Sequence, residues 1–173
     1  MITTPRDFPL DNFACGSTDP LTDIEITRVE FATRKIRPTR GVHIRGYQPI
    51  GYGRPSVPFE SLIEKNTIAE IARFPEVKRI QAQPITIHFS IGTKSYRYTP
   101  DLLIELWQVP EKLLHFGFAE STLIECKPHG RLTLDRVRIE RCFRAAALAC
   151  SEPLLLITDL HLLVGVLEAP HDC

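Results

Sequence analysis

The predicted architecture rests on two stretches, YTPD at residues 98–101 and ECKP at residues 125–128, each of which places an acid in an apolar, strand-like run. Side chains alternate across a strand, so Glu125 and Lys127 should share one face while Cys126 points to the other. Two carboxylates suit a hard divalent cation, and a neighbouring lysine can orient or deprotonate an attacking water. The spacing of Asp101, Glu125 and Lys127 therefore favours metal-assisted phosphodiester hydrolysis, and a nuclease is the leading hypothesis.

Length and composition indicate one globular domain. The chain has 173 residues, of which 43% are hydrophobic and 24% are charged. No run approaches the roughly 18–20 apolar residues of a membrane span, and residues 1–10 lack a signal-peptide pattern. The five cysteines include no CxxC pair, and the six histidines show no metal-ligand spacing. We therefore expect a cytoplasmic protein with reduced thiols, no zinc site and no membrane partner.

The hydrophobic pattern predicts helices and strands in a definite order. A helix is expected from Pro58 to about Phe74, and a second one over residues 134–150. Strands are expected over residues 77–89, with a bend at Pro84, over 95–107, over 121–127 and over 153–157. Residues 108–120 would form a connection. The order of helix, three strands, helix and strand predicts an α/β sandwich with a mixed sheet.

A basic segment precedes this core. The formal net charge is zero, yet residues 28–54 hold seven arginines and lysines against the single acid Glu30. Glycine, proline and tyrosine are frequent there, so we expect residues 1–54 to form an irregular basic arm and residues 55–173 to form the domain. Such an arm beside an acidic centre fits a polyanionic substrate, although a solvated loop is the alternative. The predicted DNA contacts are Arg34, Lys35, Arg37, Arg40, Arg45, Arg54, His129 and Arg131.

Five short blocks in order give the chain a resemblance to a known fold. They are FESLIE at 59–64, EV at 76–77 with QPIT at 83–86, YTPD, ECKP, and TD at 158–159. Together they resemble the PD-(D/E)xK nuclease fold, whose core order is α-β-β-β-α-β. Within that fold, residues 40–165 are most similar to the catalytic domain of the TnsA endonucleases, which nick strands for cut-and-paste transposons.

The resemblance implies a set of site residues. Glu64, Asp101 and Glu125 match acids that bind the metal, and the carbonyl of Cys126 matches a further ligand. Lys127 matches the catalytic lysine, so the implied catalytic set is Glu64, Asp101, Glu125 and Lys127. The implied cofactor is Mg²⁺, with Mn²⁺ as a substitute, and the products would carry a 5′-phosphate and a 3′-hydroxyl. Gln83 matches a family position without an assigned role.

The resemblance also implies partners. A bacterial TnsA-like enzyme would nick the 5′ ends of transposon DNA beside a TnsB-like DDE transposase, and a TnsC-like AAA+ ATPase is a further implied partner. The C-terminal domain that contacts that ATPase in the family is expected to be absent here. Two other functions stay open: a stand-alone nuclease for restriction, repair or defence, and a DNA-binding assembly subunit that does not cleave.

Each candidate residue also has a structural interpretation. Asp101 would then cap a turn, Glu125 and Lys127 would be an exposed pair on an edge strand, and Glu64 would be a surface acid paired with a lysine. The arginines of the second helix would form a solvated face rather than a DNA contact; they are Arg136, Arg138, Arg141 and Arg144.

Overall fold

The computed structural model describes residues 23–31 and 44–163. Nine strands and four α-helices occur in these ranges, and a short 3-10 turn (His129–Arg131) precedes the third helix. The strands are β1 (Ile24–Phe31), β2 (Gly46–Gln48), β3 (Val57–Phe59), β4 (Val77–Ala82), β5 (Ile85–Ile91), β6 (Lys94–Tyr98), β7 (Leu102–Leu106), β8 (Ser121–Cys126) and β9 (Leu154–Ile157). The helices are α1 (Leu62–Ile71), α2 (Glu111–His115), α3 (Leu132–Ala149) and α4 (Asp159–Leu163). The predicted α/β class with a mixed sheet is confirmed.

The central sheet has four strands in the order β4-β7-β8-β9. Neighbouring strands are antiparallel except β8 and β9, which are parallel. A parallel pair needs a long crossover connection, and α3 supplies it. Leu102 of β7 pairs with Ile124 of β8, and this register places Asp101 beside Glu125. The sheet therefore brings the two acids of the sequence motifs to neighbouring strand ends.

A second sheet divides the two long strands that the sequence predicts. β5 pairs with β6 and β1 in a separate antiparallel sheet, so residues 77–89 and 95–107 each form two strands rather than one. The division falls at Gln83-Pro84 and at Thr99-Pro100. A proline has no N–H for a strand ladder, and Gln83 takes a left-handed φ of 47°, so the hairpin splits there. We call this division the fork.

The N-terminal segment differs from its prediction. Ile24–Phe31 forms a strand that pairs with β5 and contains one register shift, whereas the sequence predicts an irregular arm here. Arg28 pairs with Glu30 there at 3.0 Å, and His88 Nε2 lies 3.4 Å from the same carboxylate. A second short pairing joins β2 to β3. The predicted contacts Arg34, Lys35, Arg37 and Arg40 lie outside the described residues.

The helices also begin and end at slightly different positions. α1 begins at Leu62 instead of Pro58 because Val57–Phe59 pairs with β2, and it ends at Ile71. α2 lies inside the predicted connection. α3 covers Leu132–Ala149, close to the expected 134–150. In the described ranges, no helix is both long enough and apolar enough to cross a membrane.

Two apolar clusters enclose the central sheet. One lies under α1 and includes Ile68, Ile71, Ile104, Ile124 and Cys126. The other lies under α3 and joins Leu123 to Ala145, Ala146 and the inner side of the second sheet. Successive residues of β8 therefore enter different clusters, as strand alternation requires. Glu125 belongs to the α3 side of the strand, together with Leu123.

Candidate active site

Asp101 is held by the backbone of the neighbouring strand. Its N–H donates to the carbonyl of Ile124 at 2.9 Å, and its own carbonyl accepts from the N–H of Gln83 at 2.8 Å. Its carboxylate oxygen Oδ2 accepts from the N–H of Cys126 at 2.7 Å. Three main-chain contacts therefore fix both the position and the orientation of this acid at the mouth of the fork.

Glu125 and Lys127 lie on the same face of β8, as predicted. The Lys127 ammonium contacts Glu125 Oε1 at 2.5 Å and donates to the Cys126 carbonyl at 3.3 Å. Glu125 is only 7% exposed, so the pair is not an exposed edge-strand pair. The Cys126 thiol points the other way, toward the Thr67 hydroxyl of α1 at 3.8 Å. One face of β8 therefore holds an ion pair, and the other face packs against α1.

Tyr98 is a member of the cluster that the sequence interpretation missed. Its buried hydroxyl donates to Glu125 Oε2 at 2.8 Å. Burial and the adjacent Glu125 carboxylate raise the pKa of Tyr98 well above its usual range, so the phenol keeps its proton and acts as the donor. The signal was its place in the YTPD block, although only the fork brings β6 close to the end of β8.

Burial and neighbouring charges shift the pKa values of the ionisable groups in this cluster. Burial and repulsion from Glu125 raise the pKa of Asp101 well above its usual range, although Lys127 opposes this effect. Burial alone would lower the pKa of Lys127, but the carboxylates of Glu125 and Asp101 outweigh it, and the pKa is raised. Lys127 is therefore an ammonium ion that partly offsets two closely placed acids.

Glu64 lies at the start of α1 and completes a capping box with Ser61. Ser61 accepts from the Glu64 N–H at 3.2 Å and donates to Glu64 Oε1 at 2.8 Å, while the N–H of Glu60 donates to Glu64 Oε2, also at 2.8 Å. The S-x-x-E spacing is the sequence signature of this motif. Glu64 is buried, not a surface acid, and burial raises its pKa. Its charge contributes to the raised pKa of Asp101, and the Lys127 ammonium acts to lower the pKa of Glu64 itself.

A second polar chain connects the segment before β2 with the fork. Arg45 pairs with Glu60 at 3.5 Å, and the Gln83 side-chain amide donates to Glu60 at 3.2 Å. Gln83 is 9% exposed, and its side-chain oxygen is buried with no hydrogen-bond partner among the described residues. The backbone N–H of the same residue holds Asp101. These contacts give Gln83 a structural role beside the acids.

The predicted DNA contacts have different surroundings. Arg54 and Arg131 are exposed, whereas Arg45 is largely buried in its ion pair with Glu60. The backbone N–H of His129 donates to Asp159 Oδ1 at 2.7 Å, which ties the turn after Lys127 to the start of α4.

The arginines of α3 do not act as one set. Arg136 pairs with Glu140, and Arg141 lies over the Tyr96 ring at 4.4 Å from its centroid. Arg138 is exposed and lines a cleft that also contains Glu125, Lys127 and Asp135. No ion pair joins Arg138 to a carboxylate in the part of the chain that the structure describes. Arg138 therefore places an exposed guanidinium beside the cluster.

The donor chemistry of the cluster fits a hard divalent cation. Asp101, Glu125 and the Cys126 carbonyl supply oxygen atoms, and the Lys127 ammonium already occupies a position between two of these groups. Over residues 23–31 and 44–163, no three side chains of His, Cys, Asp or Glu lie together as a metal-binding group. The predicted ligand set of Glu64, Asp101 and Glu125 therefore stays a prediction, with the Glu64 carboxylate engaged at its own helix start.

No protein-family model matches the chain, and no curated protein matches its sequence significantly.

Proposed function

We propose that the protein is a metal-dependent DNA endonuclease with a PD-(D/E)xK fold and a TnsA-like site. The observation that carries this proposal is the hydrogen bond from the Cys126 N–H to the Asp101 carboxylate. It joins the acid of one strand end to the Glu125–Lys127 pair of the next. A buried carboxylate paired with an ammonium ion, with the partly buried carboxylate of Asp101 beside them, is costly to assemble, so a reactive centre explains the arrangement better than stability does.

The order of elements supports the same fold. When β5 and β6 of the second sheet and the short α2 are set aside, the order is helix, three strands, helix and strand (α1, β4, β7, β8, α3 and β9), and β9 is parallel to β8. Asp101 precedes the second strand of this core, and Glu125 lies near the end of the third. This is the placement that the resemblance implies for the two acids.

The residues of the cluster divide the chemistry between them. Asp101, Glu125 and the Cys126 carbonyl would hold Mg²⁺, or Mn²⁺ in its place, and Glu64 is the further implied ligand. The metal would supply Lewis acidity at a phosphoryl oxygen and lower the pKa of a bound water. Lys127 would orient that water and offset negative charge on the phosphate. Hydrolysis would leave a 5′-phosphate and a 3′-hydroxyl.

The cations around the cleft support a nucleic acid as the substrate. Arg138 lies beside the reacting groups, and Arg131 is exposed in the turn that follows Lys127. Contacts of arginine with phosphate give affinity without reading sequence. We propose that selection of transposon ends belongs to a TnsB-like transposase, and that a TnsC-like ATPase is a further partner.

Nicking of supercoiled plasmid and of transposon-end DNA in Mg²⁺ tests the proposal, with and without a TnsB-like transposase. We expect nicks that require Mg²⁺ or Mn²⁺ and disappear in Asp101→Ala. Glu105→Gln is the matched control, because Glu105 is an acid of the same β7 that pairs with Lys78 and Arg79 away from the cluster. Nicking that survives Asp101→Ala would refute the site. Cleavage of plain plasmid without a transposase would favour a stand-alone nuclease.

A further inference from the structure

The contact between Tyr98 and Glu125 crosses the fork. Tyr98 ends β6 of the second sheet, where its backbone pairs with Ile87, and β6 is not a neighbour of β8 in any sheet. The hydroxyl nevertheless reaches Glu125 Oε2 at 2.8 Å. The hydrogen bond therefore joins two sheets that no backbone ladder connects at this point.

The same carboxylate is held on both of its oxygens. Oε2 accepts from Tyr98, and Oε1 contacts the ammonium of Lys127. A glutamate side chain has three rotatable bonds, so a contact on one oxygen alone would leave the carboxylate plane free to turn. Two contacts from different strands fix that plane relative to Asp101, which the backbone fixes independently.

The ring of Tyr98 has a packing role that can be separated from its hydroxyl. It belongs to the buried cluster under α3, with Ile87, Phe89 and Leu123 among its members. Replacement by phenylalanine retains this packing and removes only the donor. A role in folding and a role in orienting Glu125 therefore make different predictions for that one change.

We propose that Tyr98 is a positioning residue that holds the Glu125 carboxylate in the orientation required for a divalent cation. It does not need to touch the metal or the DNA. This inference rests on the proposed function, because it assigns to Tyr98 a share of the metal affinity of the same site.

Binding of Mn²⁺ to the full chain without DNA, measured by calorimetry, tests the inference independently of cleavage. Partners that orient a metal ligand typically change affinity or activity by 10–100-fold, so we expect Tyr98→Phe to raise the dissociation constant by roughly tenfold. In a nicking assay, the half-saturating Mg²⁺ concentration should rise by a similar factor. The rate at saturating Mg²⁺ should stay within about threefold of wild type, because the metal then restores the orientation.

Tyr96→Phe is the matched control. Tyr96 lies two residues earlier on the same face of β6, stacks on Phe89 and lies under Arg141, so its hydroxyl can be removed from a comparable setting. The control should bind Mn²⁺ with unchanged affinity. A rescue variant with 4-aminophenylalanine at position 98 restores a donor and should recover most of the lost affinity. Thermal unfolding of each variant verifies that it is folded.

The outcomes separate the inference from the proposed function. If wild type binds no divalent cation, the proposed function is wrong and the inference falls with it. If wild type binds Mn²⁺ and Tyr98→Phe binds it equally well or more tightly, only the inference is overturned. A lower saturating rate with unchanged affinity, or loss of folding without rescue by the amino analogue, would assign Tyr98 a structural role instead.

Discussion

The two faces of β8 show how one strand can serve packing and chemistry at once. On the α1 side, Ile124 and Cys126 are buried in an apolar cluster, and their neighbours are side chains of similar character. On the α3 side, Glu125 is almost as buried, yet it contacts an ammonium ion and a phenol. Similar burial therefore has opposite energetic effects on the two faces. Transfer from water stabilises the apolar face and destabilises the charged one.

This difference predicts that substitutions on the two faces differ in kind. On the charged face, removal of one partner leaves the other buried without compensation. On the apolar face, a smaller side chain costs only the contacts that are lost. Substitutions on the apolar face should therefore change stability and leave cleavage largely intact. Substitutions on the charged face should change both, and stability can rise while cleavage is lost.

The largest effect is expected for Lys127→Met. This change leaves Glu125 buried beside Asp101 without an ammonium ion, and breaking a buried pair in this way typically costs about 3 kcal/mol or more. Chemical denaturation should show this loss, and nicking should disappear. The double variant Glu125→Gln/Lys127→Met should recover most of the stability, because the uncompensated charge is gone.

Lys78→Met is the control for the loss of a lysine. Lys78 lies 3.9 Å from Glu105 in an exposed pair, so its replacement should change stability by less than about 1 kcal/mol. If Lys127→Met is no more destabilising than this control, the buried Glu125 carboxylate does not depend on the Lys127 ammonium for its stability.

Asp101→Asn should have a smaller effect on stability, with the opposite sign. Burial and repulsion from Glu125 raise the pKa of Asp101 in the folded state above its unfolded value. Its contribution to stability is therefore complete below the unfolded pKa, near 4, and is lost as pH rises through the folded pKa. Asparagine avoids this loss, so the variant should be more stable than wild type at neutral pH and lose its advantage toward pH 4.

Thermal unfolding of Asp101→Asn between pH 4 and pH 8 checks this sign. An increase of roughly 2–4 °C at pH 8 would correspond to about 1 kcal/mol in a chain of this size. Nicking should be abolished in the same protein. A variant that melts below wild type at pH 8 and above it at pH 4 would reverse the assigned direction of the Asp101 pKa.

The smallest effect on nicking is expected for Cys126→Ala on the apolar face. The change removes a buried sulfur beside Thr67 and should cost about 1 kcal/mol. The N–H that holds Asp101 and the carbonyl near Lys127 stay in place, so the nicking rate should remain within about threefold of wild type. Parallel measurement of stability and nicking tests this separation, and a loss of nicking larger than the loss of folded protein would contradict it.

Local patterns in the sequence were sufficient for part of the site. A period of two residues places Glu125 and Lys127 on one face, and this depends only on β8 being a strand. The capping box of Ser61 and Glu64 is visible in the sequence as S-x-x-E, but this spacing does not reveal that Glu64 is buried. These features involve residues no more than three apart, where spacing alone determines contact.

Features that depend on distant pairing were harder to foresee. Pro84 predicted a bend, but not that the hairpin would divide between two sheets. The contact of Tyr98 with Glu125 follows from that division, across 27 residues of chain. The strand β1 was hidden because a register shift between Ile26 and Arg28 breaks its alternation, and the surrounding arginines resembled an arm. These three features depend on which strands pair in the folded protein, and local sequence patterns do not specify that pairing.

The hydrogen bond from residue 126 to Asp101 has a consequence for evolution. Its donor is a peptide N–H, which every amino acid except proline provides, so the orientation of the acid does not depend on which side chain occupies position 126. That side chain faces α1, so the choice of residue is limited only by the space available next to the helix. Residue 126 can therefore change during evolution, together with the part of α1 that it contacts, without moving the carboxylate of Asp101 on the neighbouring strand.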